Sequence, residues 1–225
     1  MSENSNATLQ ENNERKDFTN SPYEWHLQVW EEFASSGIWW LWDKEKKKSE
    51  FSNIGYESLG IPKGLAKEFE FWQAIYDKYG IYWGEKSATI MQKEMKKGFD
   101  KTRVELAKKL KAFLRDKAYV ETYTEFGLKE IKFYYVSWDY GAYLWDEEGC
   151  ATLCESIGDD IGSNLNSPQM QKVEEQLDKW SNSYSVYDDK GNYIGISDEI
   201  HQKGKELTKA LKALLPSYVC VEYWK

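Results

Sequence analysis

The strongest constraint on the fold of this chain is an internal repeat. Residues 105–114 read ELAKKLKAFL and residues 206–215 read ELTKALKALL, with seven of ten positions identical. Amphipathic helices rich in Lys, Leu and Ala resemble one another by chance, but Val120-Glu121 matches Val221-Glu222 at the same displacement of 101 residues. The sequence therefore predicts a tandem duplication of a unit of about 100 residues.

Two helices are predicted in each copy. Helix A has apolar side chains at helical spacing, and helix B contains the repeated segment just described. Asp100 and Ser197 are the predicted N-caps of helix B, and Ser167 is the predicted N-cap of the second helix A. The apolar stripes of helix A are Phe69, Trp72, Tyr76 and Tyr79 in the first copy and Met170, Val173, Leu177 and Trp180 in the second.

Strands are predicted on both sides of the helices. Residues 119–125, 131–138 and 218–224 are rich in Tyr, Val, Thr and Trp, as strands are. Residues 25–31 fit either an amphipathic helix or a half-buried strand, and the repeat favours the strand because residues 131–138 are a poor helix. Leu41-Trp42-Asp43 and its counterpart Leu144-Trp145-Asp146 predict a further short strand in each copy.

These elements predict an α+β fold. Two pseudo-symmetric strand-strand-helix-helix-strand units are expected to share one mixed sheet with helices packed on it, because residues 127–130 would join neighbouring strands as a hairpin. The units span residues 21–127 and 128–225 and are expected to form one fused domain. Residues 1–20 contain too few apolar side chains to offset the entropy of ordering, and are expected to form a disordered tail.

Charge is distributed unevenly along the chain. The formal net charge is −8, and residues 130–225 carry all of it, with 9 Lys and Arg against 17 Asp and Glu. An acidic surface disfavours nucleic acid and suits a basic partner, although it also serves solubility alone. Three cysteines, no signal-peptide pattern and no run of 18 apolar residues predict a cytoplasmic protein without a membrane partner.

No catalytic or metal-binding motif is recognisable. His26 and His201 have no Cys or carboxylate at ligand spacing, and Cys150 and Cys154 lack a second pair. Residues 188–192 (DDKGN) lack the Glu that closes a calcium loop, so a turn is the better interpretation. We therefore predict a protein that is not an enzyme and that binds no cofactor or metal.

The densest acidic stretch follows the LWD segment of the second copy. The matching stretch of the first copy, residues 44–48, is basic. This change of sign is expected at a surface that contacts a partner, and equally from drift at a tolerant loop. The predicted partner-binding residues are Asp146, Glu147, Glu148, Glu155, Asp159 and Asp160.

Several short motifs carry a family resemblance. They are Asp139-Tyr140-Gly141, Leu144-Trp145, Ser167-Pro168 and Lys205-Glu206-Leu207. With these motifs, residues 131–225 resemble a family of small bacterial proteins similar in size and style to immunity proteins of toxin systems. Residues 25–125 match more loosely, with Glu32-Phe33-Ala34 in place of DYG.

The resemblance implies an immunity or antitoxin-like protein that neutralises a partner, a basic toxin for example, by protein–protein contact. Two other functions stay open from the residues alone. The many aromatic side chains would suit a ligand-binding domain with exposed rings. A structural module that associates with itself would also fit, so that either a monomer or a homodimer is compatible with the sequence.

Overall fold

A computed structural model describes residues 18–43, 47–83, 88–139, 142–146, 167–182, 190 and 195–224. The chain splits into two compact units, Met1–Lys129 and Glu130–Lys225. Each unit builds its own sheet and packs its own pair of helices.

The first unit contains a five-stranded mixed sheet in the order β3-β2-β1-β4-β5. Strand β1 is antiparallel to β2 and parallel to β4. The elements in chain order are β1 Trp25–Val29, β2 Ile38–Asp43, β3 Lys48–Asn53, α1 Lys63–Tyr79, α2 Ile90–Leu114, β4 Ala118–Thr124 and β5 Gly127–Glu130, which ends at the unit boundary.

The second unit repeats this order with fewer strands. Its described sheet has the order β7-β6-β8, with β6 antiparallel to β7 and parallel to β8. Its elements are β6 Lys132–Asp139, β7 Ala142–Asp146, α3 Pro168–Asn182, α4 Asp198–Lys212 and β8 Val219–Tyr223. Both units therefore run strand, antiparallel strand, helix, helix, parallel strand.

The α+β class is confirmed, but the strands form two mixed sheets where one shared sheet was expected. The reason lies in residues 127–130. Gly127 adopts a positive φ of 87° directly after a two-residue turn that the Thr124 hydroxyl stabilises, accepting from Phe126 N and donating to Gly127 O. The chain thus returns as β5 beside β4, in the first sheet, before β6 begins.

The ambiguous segment after residue 24 is a strand, as the repeat predicted. Leu27 and Val29 are fully buried, but His26 and Gln28 on the other face are buried as well. Phe18 covers that face, with its ring centroid 4.2 Å from the ring of His26. The alternation of polar and apolar residues therefore predicted the strand correctly. The prediction that its polar face is exposed was wrong.

Candidate partner-binding surface

Of the predicted acidic residues, the structure describes Asp146 alone. Asp146 ends β7 opposite Tyr134, with a half-buried side chain. The other predicted residues, Glu147, Glu148, Glu155, Asp159 and Asp160, lie outside the described residues. The predicted acidic contact therefore stays a prediction.

The β1–β2 loop (residues 30–37) lies at the end of a parallel strand pair. It follows the carboxyl end of β1, which is parallel to β4. In open sheets, ligands meet the carboxyl ends of parallel strands. Among the described residues, the loop is therefore a candidate binding surface.

Strand register relates this loop to the DYG segment of the second unit. Leu27 pairs with Val120 in the first sheet, and Tyr134 pairs with Val221 in the second. Because Val120 matches Val221 in sequence, Leu27 and Tyr134 occupy equivalent positions. These two residues are 107 positions apart, and the same shift of 107 aligns Glu32-Phe33-Ala34 with Asp139-Tyr140-Gly141 in sequence. The acid-aromatic-small pattern therefore occurs in both copies of the sequence.

Helix α1 holds the first half of the β1–β2 loop. Gln73 Nε2 donates to the carbonyl of Glu32, and Asp77 Oδ1 accepts from Ala34 N at 3.2 Å. Ala34 has a positive φ of 55°, which costs free energy in a residue with a Cβ atom. Contacts from one helix to Glu32 and Ala34, on either side of Phe33, keep the backbone in this conformation.

Ser36 and Tyr56 hold the second half of the loop. The Ser36 hydroxyl donates to Ile54 O at 2.7 Å and accepts from Asn53 Nδ2 at 2.9 Å, while Tyr56 OH donates to Ser36 O at 2.9 Å. Gly37 ends the loop at φ 77°, where a Cβ atom would lie 2.7 Å from the Trp72 ring. The loop is therefore fixed at both ends before any partner arrives.

The tip of this fixed loop carries an exposed aromatic ring. Phe33 is 47% exposed, and its ring centroid lies 4.9 Å from that of Tyr76. Glu32 beside it is exposed and negatively charged. An aromatic side chain on a rigid loop suits a binding anchor, because little conformational entropy is lost when it is buried.

A buried ion pair holds the start of the loop. Arg103 Nη1 donates to both carboxylate oxygens of Glu31 at 2.8 Å, and the two side chains are only 7% and 8% exposed. The guanidinium also donates to Tyr123 O at 3.2 Å and lies 5.4 Å from the Trp30 ring centroid. Arg103 of α2 thereby joins the end of β1 to the end of β4.

Aromatic rings connect the loop to the interior. Tyr76 lies 6.1 Å from Trp83 and 5.9 Å from Phe99 between ring centroids, and Phe99 stacks on Trp72 at 4.8 Å. The indole of Trp72 donates to Phe99 O at 3.2 Å. Burial, followed by the charges of Glu32, Glu31 and Asp77, raises the pKa of the Tyr76 phenol.

Helix α2 begins eleven residues earlier than predicted. The predicted N-cap Asp100 lies inside the helix, whereas Thr89 caps it through a capping box with Gln92. Thr-x-x-Gln is visible in the sequence and would have found this start. Ser197 does cap α4, as predicted. Because α2 starts earlier than its counterpart, α2 has 25 residues and α4 has 15.

The extra turns of α2 form a second exposed feature, the α2 overhang (residues 90–96). At the displacement of 101 residues, the first residue of α4 corresponds to Lys97, so the overhang has no counterpart in α4. The overhang exposes three apolar side chains, Ile90 at 82%, Met91 at 71% and Met95 at 36%.

Comparison with known proteins assigns a family. A family model described as "Serratia CdiI immunity protein-like" matches residues 7–125. The chain belongs to this family. No curated protein and no solved structure gives a significant match.

The match to the CdiI immunity protein-like family falls within the first unit. It includes the β1–β2 loop, the Arg103–Glu31 pair and the α2 overhang. The resemblance found in the sequence rested mainly on residues 131–225, which lie outside the match. Family membership thus confirms the resemblance to immunity proteins. The match, however, lies in the first unit and not in the second.

In the described part of the chain, no group of three or more His, Cys, Asp and Glu side chains is arranged to hold a metal ion. None of the helices in that part of the chain combines the length and the apolar character of a membrane span.

Replacing Tyr56 by phenylalanine tests how firmly the loop is held. Burial, together with the charge of Glu70, raises the pKa of Tyr56 to about 12, whereas an unfolded tyrosine ionises near pH 10. Between these values the folded state binds more protons, so the free energy of unfolding falls as pH rises. Tyr56→Phe is expected to cost about 0.5–1.5 kcal/mol at neutral pH through the lost hydrogen bond.

Urea unfolding of both proteins at about pH 9 and about pH 11 measures this effect, because the difference in stability should shrink as wild-type Tyr56 loses its advantage. Tyr82→Phe, at an exposed position, serves as the control. A difference that stays constant with pH would contradict the expectation.

Proposed function

We propose that this chain is an immunity protein that neutralises a bacterial toxin by direct protein–protein contact. The observation that carries the proposal is the match of residues 7–125 to the CdiI immunity protein-like family. Proteins of this kind act by occupying a surface, so they need a preformed binding face and no catalytic group. A rigid loop with an exposed aromatic tip in the matched segment supports this function.

The binding face proposed here centres on the β1–β2 loop. Phe33 would enter an apolar pocket of the toxin, and the exposed Glu32 would meet a basic rim around that pocket. Because the loop backbone is held by Gln73, Asp77 and Tyr56, binding would require little ordering. This arrangement fits a toxin with a basic surface.

The acidic stretch of the second unit is proposed as an additional contact with the same basic toxin. Its net negative charge would speed association through electrostatic steering. The shared order of elements supports an origin by tandem duplication, after which the copies diverged in surface charge. We further propose that the two units act as one fused domain in the cytoplasm, as a monomer or a homodimer.

Co-expression with the toxin domain encoded by the adjacent gene tests the proposed function. The chain is expected to restore growth and to co-purify with the toxin domain in a stable complex. A chain that neither binds that domain nor protects the cell would contradict the proposal.

Truncation of the loop tip is expected to weaken the complex. Phe33→Ala should raise Kd about tenfold or more, since truncating a central aromatic anchor costs about 2 kcal/mol or more. The fold should be unaffected because the ring is half exposed. Titration calorimetry with the toxin domain measures Kd.

A matched control is Phe71→Ala. Phe71 is 71% exposed on α1, and it lies two residues before Gln73, on the opposite side of that helix from the loop. Its replacement is expected to leave Kd unchanged. Equal effects of the two substitutions would argue against the β1–β2 loop as the anchor.

A further inference from the structure

Two carboxylates flank the exposed ring at the tip of the β1–β2 loop. Glu32 Oε1 accepts from Phe33 N at 3.0 Å, and Asp77 Oδ1 accepts from Ala34 N at 3.2 Å. The two carboxylates therefore bind consecutive backbone amides, one carboxylate coming from the loop and the other from α1. Each hydrogen bond holds a negative charge beside the residue that carries the ring.

Glu32 and Asp77 lack a cationic partner in the described part of the chain. No Lys or Arg there forms an ion pair with either carboxylate, and both side chains are exposed. Glu31 next to them differs, because it is buried and pairs with Arg103 at 2.8 Å. In the free protein, water screens the charges of Glu32 and Asp77. A partner that excludes this water must supply a positive charge, since a buried carboxylate without compensation is costly.

The Phe33 ring attracts the same kind of group. Phe33 is 47% exposed, and its ring packs against Tyr76 of α1 with the centroids 4.9 Å apart. The negative face of an aromatic ring attracts a cation that lies within about 6 Å of the ring centroid. The loop tip thus combines an exposed ring with two exposed negative charges.

Charge selects among the possible occupants of this tip. In a symmetric contact with a second copy, the same patch meets itself, so Glu32 and Asp77 would face their own counterparts. Like charges oppose such a contact. A purely apolar pocket would cover both carboxylates without a counter-ion. An arginine meets neither obstacle, because its planar guanidinium stacks on aromatic rings and donates to carboxylates.

We infer that an arginine of the toxin stacks on Phe33 and pairs with Glu32 and Asp77. This inference rests on the proposed function and deepens it, because it names the group that must line the pocket for Phe33. It also makes Asp77 a direct contact as well as a support of the loop. Variants that keep the shape of the loop but remove either the charge or the ring should then bind the toxin more weakly.

Asp77→Asn separates the charge of Asp77 from its support of the loop. The amide oxygen of asparagine can still accept from Ala34 N, whereas the negative charge is lost. In titration calorimetry with the purified toxin domain encoded by the adjacent gene, Kd is expected to rise about tenfold and to depend less on salt concentration. Glu32→Gln keeps the acceptor for Phe33 N in the same way and is expected to have the same two effects. A purely structural role of either carboxylate would leave the salt dependence of Kd unchanged.

Asp116→Asn is the matched control. Asp116 is exposed and precedes β4, whereas the β1–β2 loop follows the carboxyl end of the parallel strand β1, so the two lie at opposite ends of the sheet. The control removes the same charge and is expected to leave Kd and its salt dependence unchanged. Circular dichroism spectra of the carboxylate variants should match that of wild type, because the substituted side chains are exposed.

Phe33→Leu tests the contribution of the ring. Leucine keeps most of the apolar volume but has no aromatic face, so Kd is expected to rise about threefold to tenfold. A leucine variant that binds the toxin domain as tightly as wild type would exclude the stacked cation.

Wild-type binding distinguishes this inference from the proposed function. If wild type binds the toxin domain and both carboxylate variants keep its Kd and salt dependence, the inference is wrong while the proposed function stands. If wild type does not bind the toxin domain, both fail. Light scattering tests the remaining occupant. A wild-type dimer that Phe33→Leu converts to monomers, with unchanged toxin affinity, would identify a second copy and overturn the inference.

Discussion

Arg103→Met is expected to lower the free energy of unfolding by about 3–5 kcal/mol. The substitution keeps much of the side-chain volume but leaves the Glu31 carboxylate buried without its two hydrogen bonds at 2.8 Å. It also removes the donors that Arg103 supplies to Tyr123 O. A buried charge without compensation is the physical origin of the large effect.

Urea denaturation of wild type and variant measures this loss. Lys109→Met on the same helix is the matched control, because Lys109 pairs with Glu68 at the surface and the side chains are 51% and 49% exposed. Exposed pairs are worth about 0–1 kcal/mol, so the control should change stability little. Adding Glu31→Gln to Arg103→Met should restore part of the loss. Equal costs for the buried and exposed pairs would contradict the assignment.

Gly204→Ala is expected to destabilise the second unit by about 1–3 kcal/mol through overpacking. An added Cβ atom would lie 2.5 Å from Cε2 of Tyr223 and 2.6 Å from Cζ2 of Trp180. Neither ring can move aside freely. The Trp180 indole donates to Ile200 O at 3.1 Å, and Tyr223 OH lies 2.6 Å from His201 Nδ1.

Gly98→Ala provides the control of opposite sign. Gly98 lies in the exposed part of α2, and no atom would come within 4 Å of its added Cβ. Alanine is favoured over glycine in a helix by about 1 kcal/mol, so this variant should be more stable than wild type. Thermal unfolding measures Tm for both variants. A change of Tm in the same direction for both would refute the packing argument.

Periodicity and residue type predicted much of the fold. The α+β class, the strand at residues 25–29 and the buried stripe of α3 are all confirmed. The caps of α3 and α4 were predicted correctly because Ser167 and Ser197 accept from the amides three residues ahead. These features depend on neighbours within a few positions, which the sequence displays directly.

The start of α2 was predicted wrongly although its signal is local. Residues 90–97 expose apolar side chains, so the usual burial pattern of a helix is missing there. Apolar periodicity therefore predicts a start at Asp100, because the buried stripe of the helix begins there. The Thr89 capping box was the signal that mattered, and following it would have revealed the overhang.

The order strand, strand, helix, helix, strand in each unit and the buried stripe of α3 were determined by the sequence itself, whereas β3 and the start of α2 were not. Only the tertiary structure decided that residues 127–130 join the first sheet, that Arg103 meets Glu31 and that α1 holds the β1–β2 loop. The physical reason is distance along the chain. Glu31 and Arg103 are separated by 72 residues, and such contacts depend on how the strands and helices pack, which local side-chain preferences do not specify.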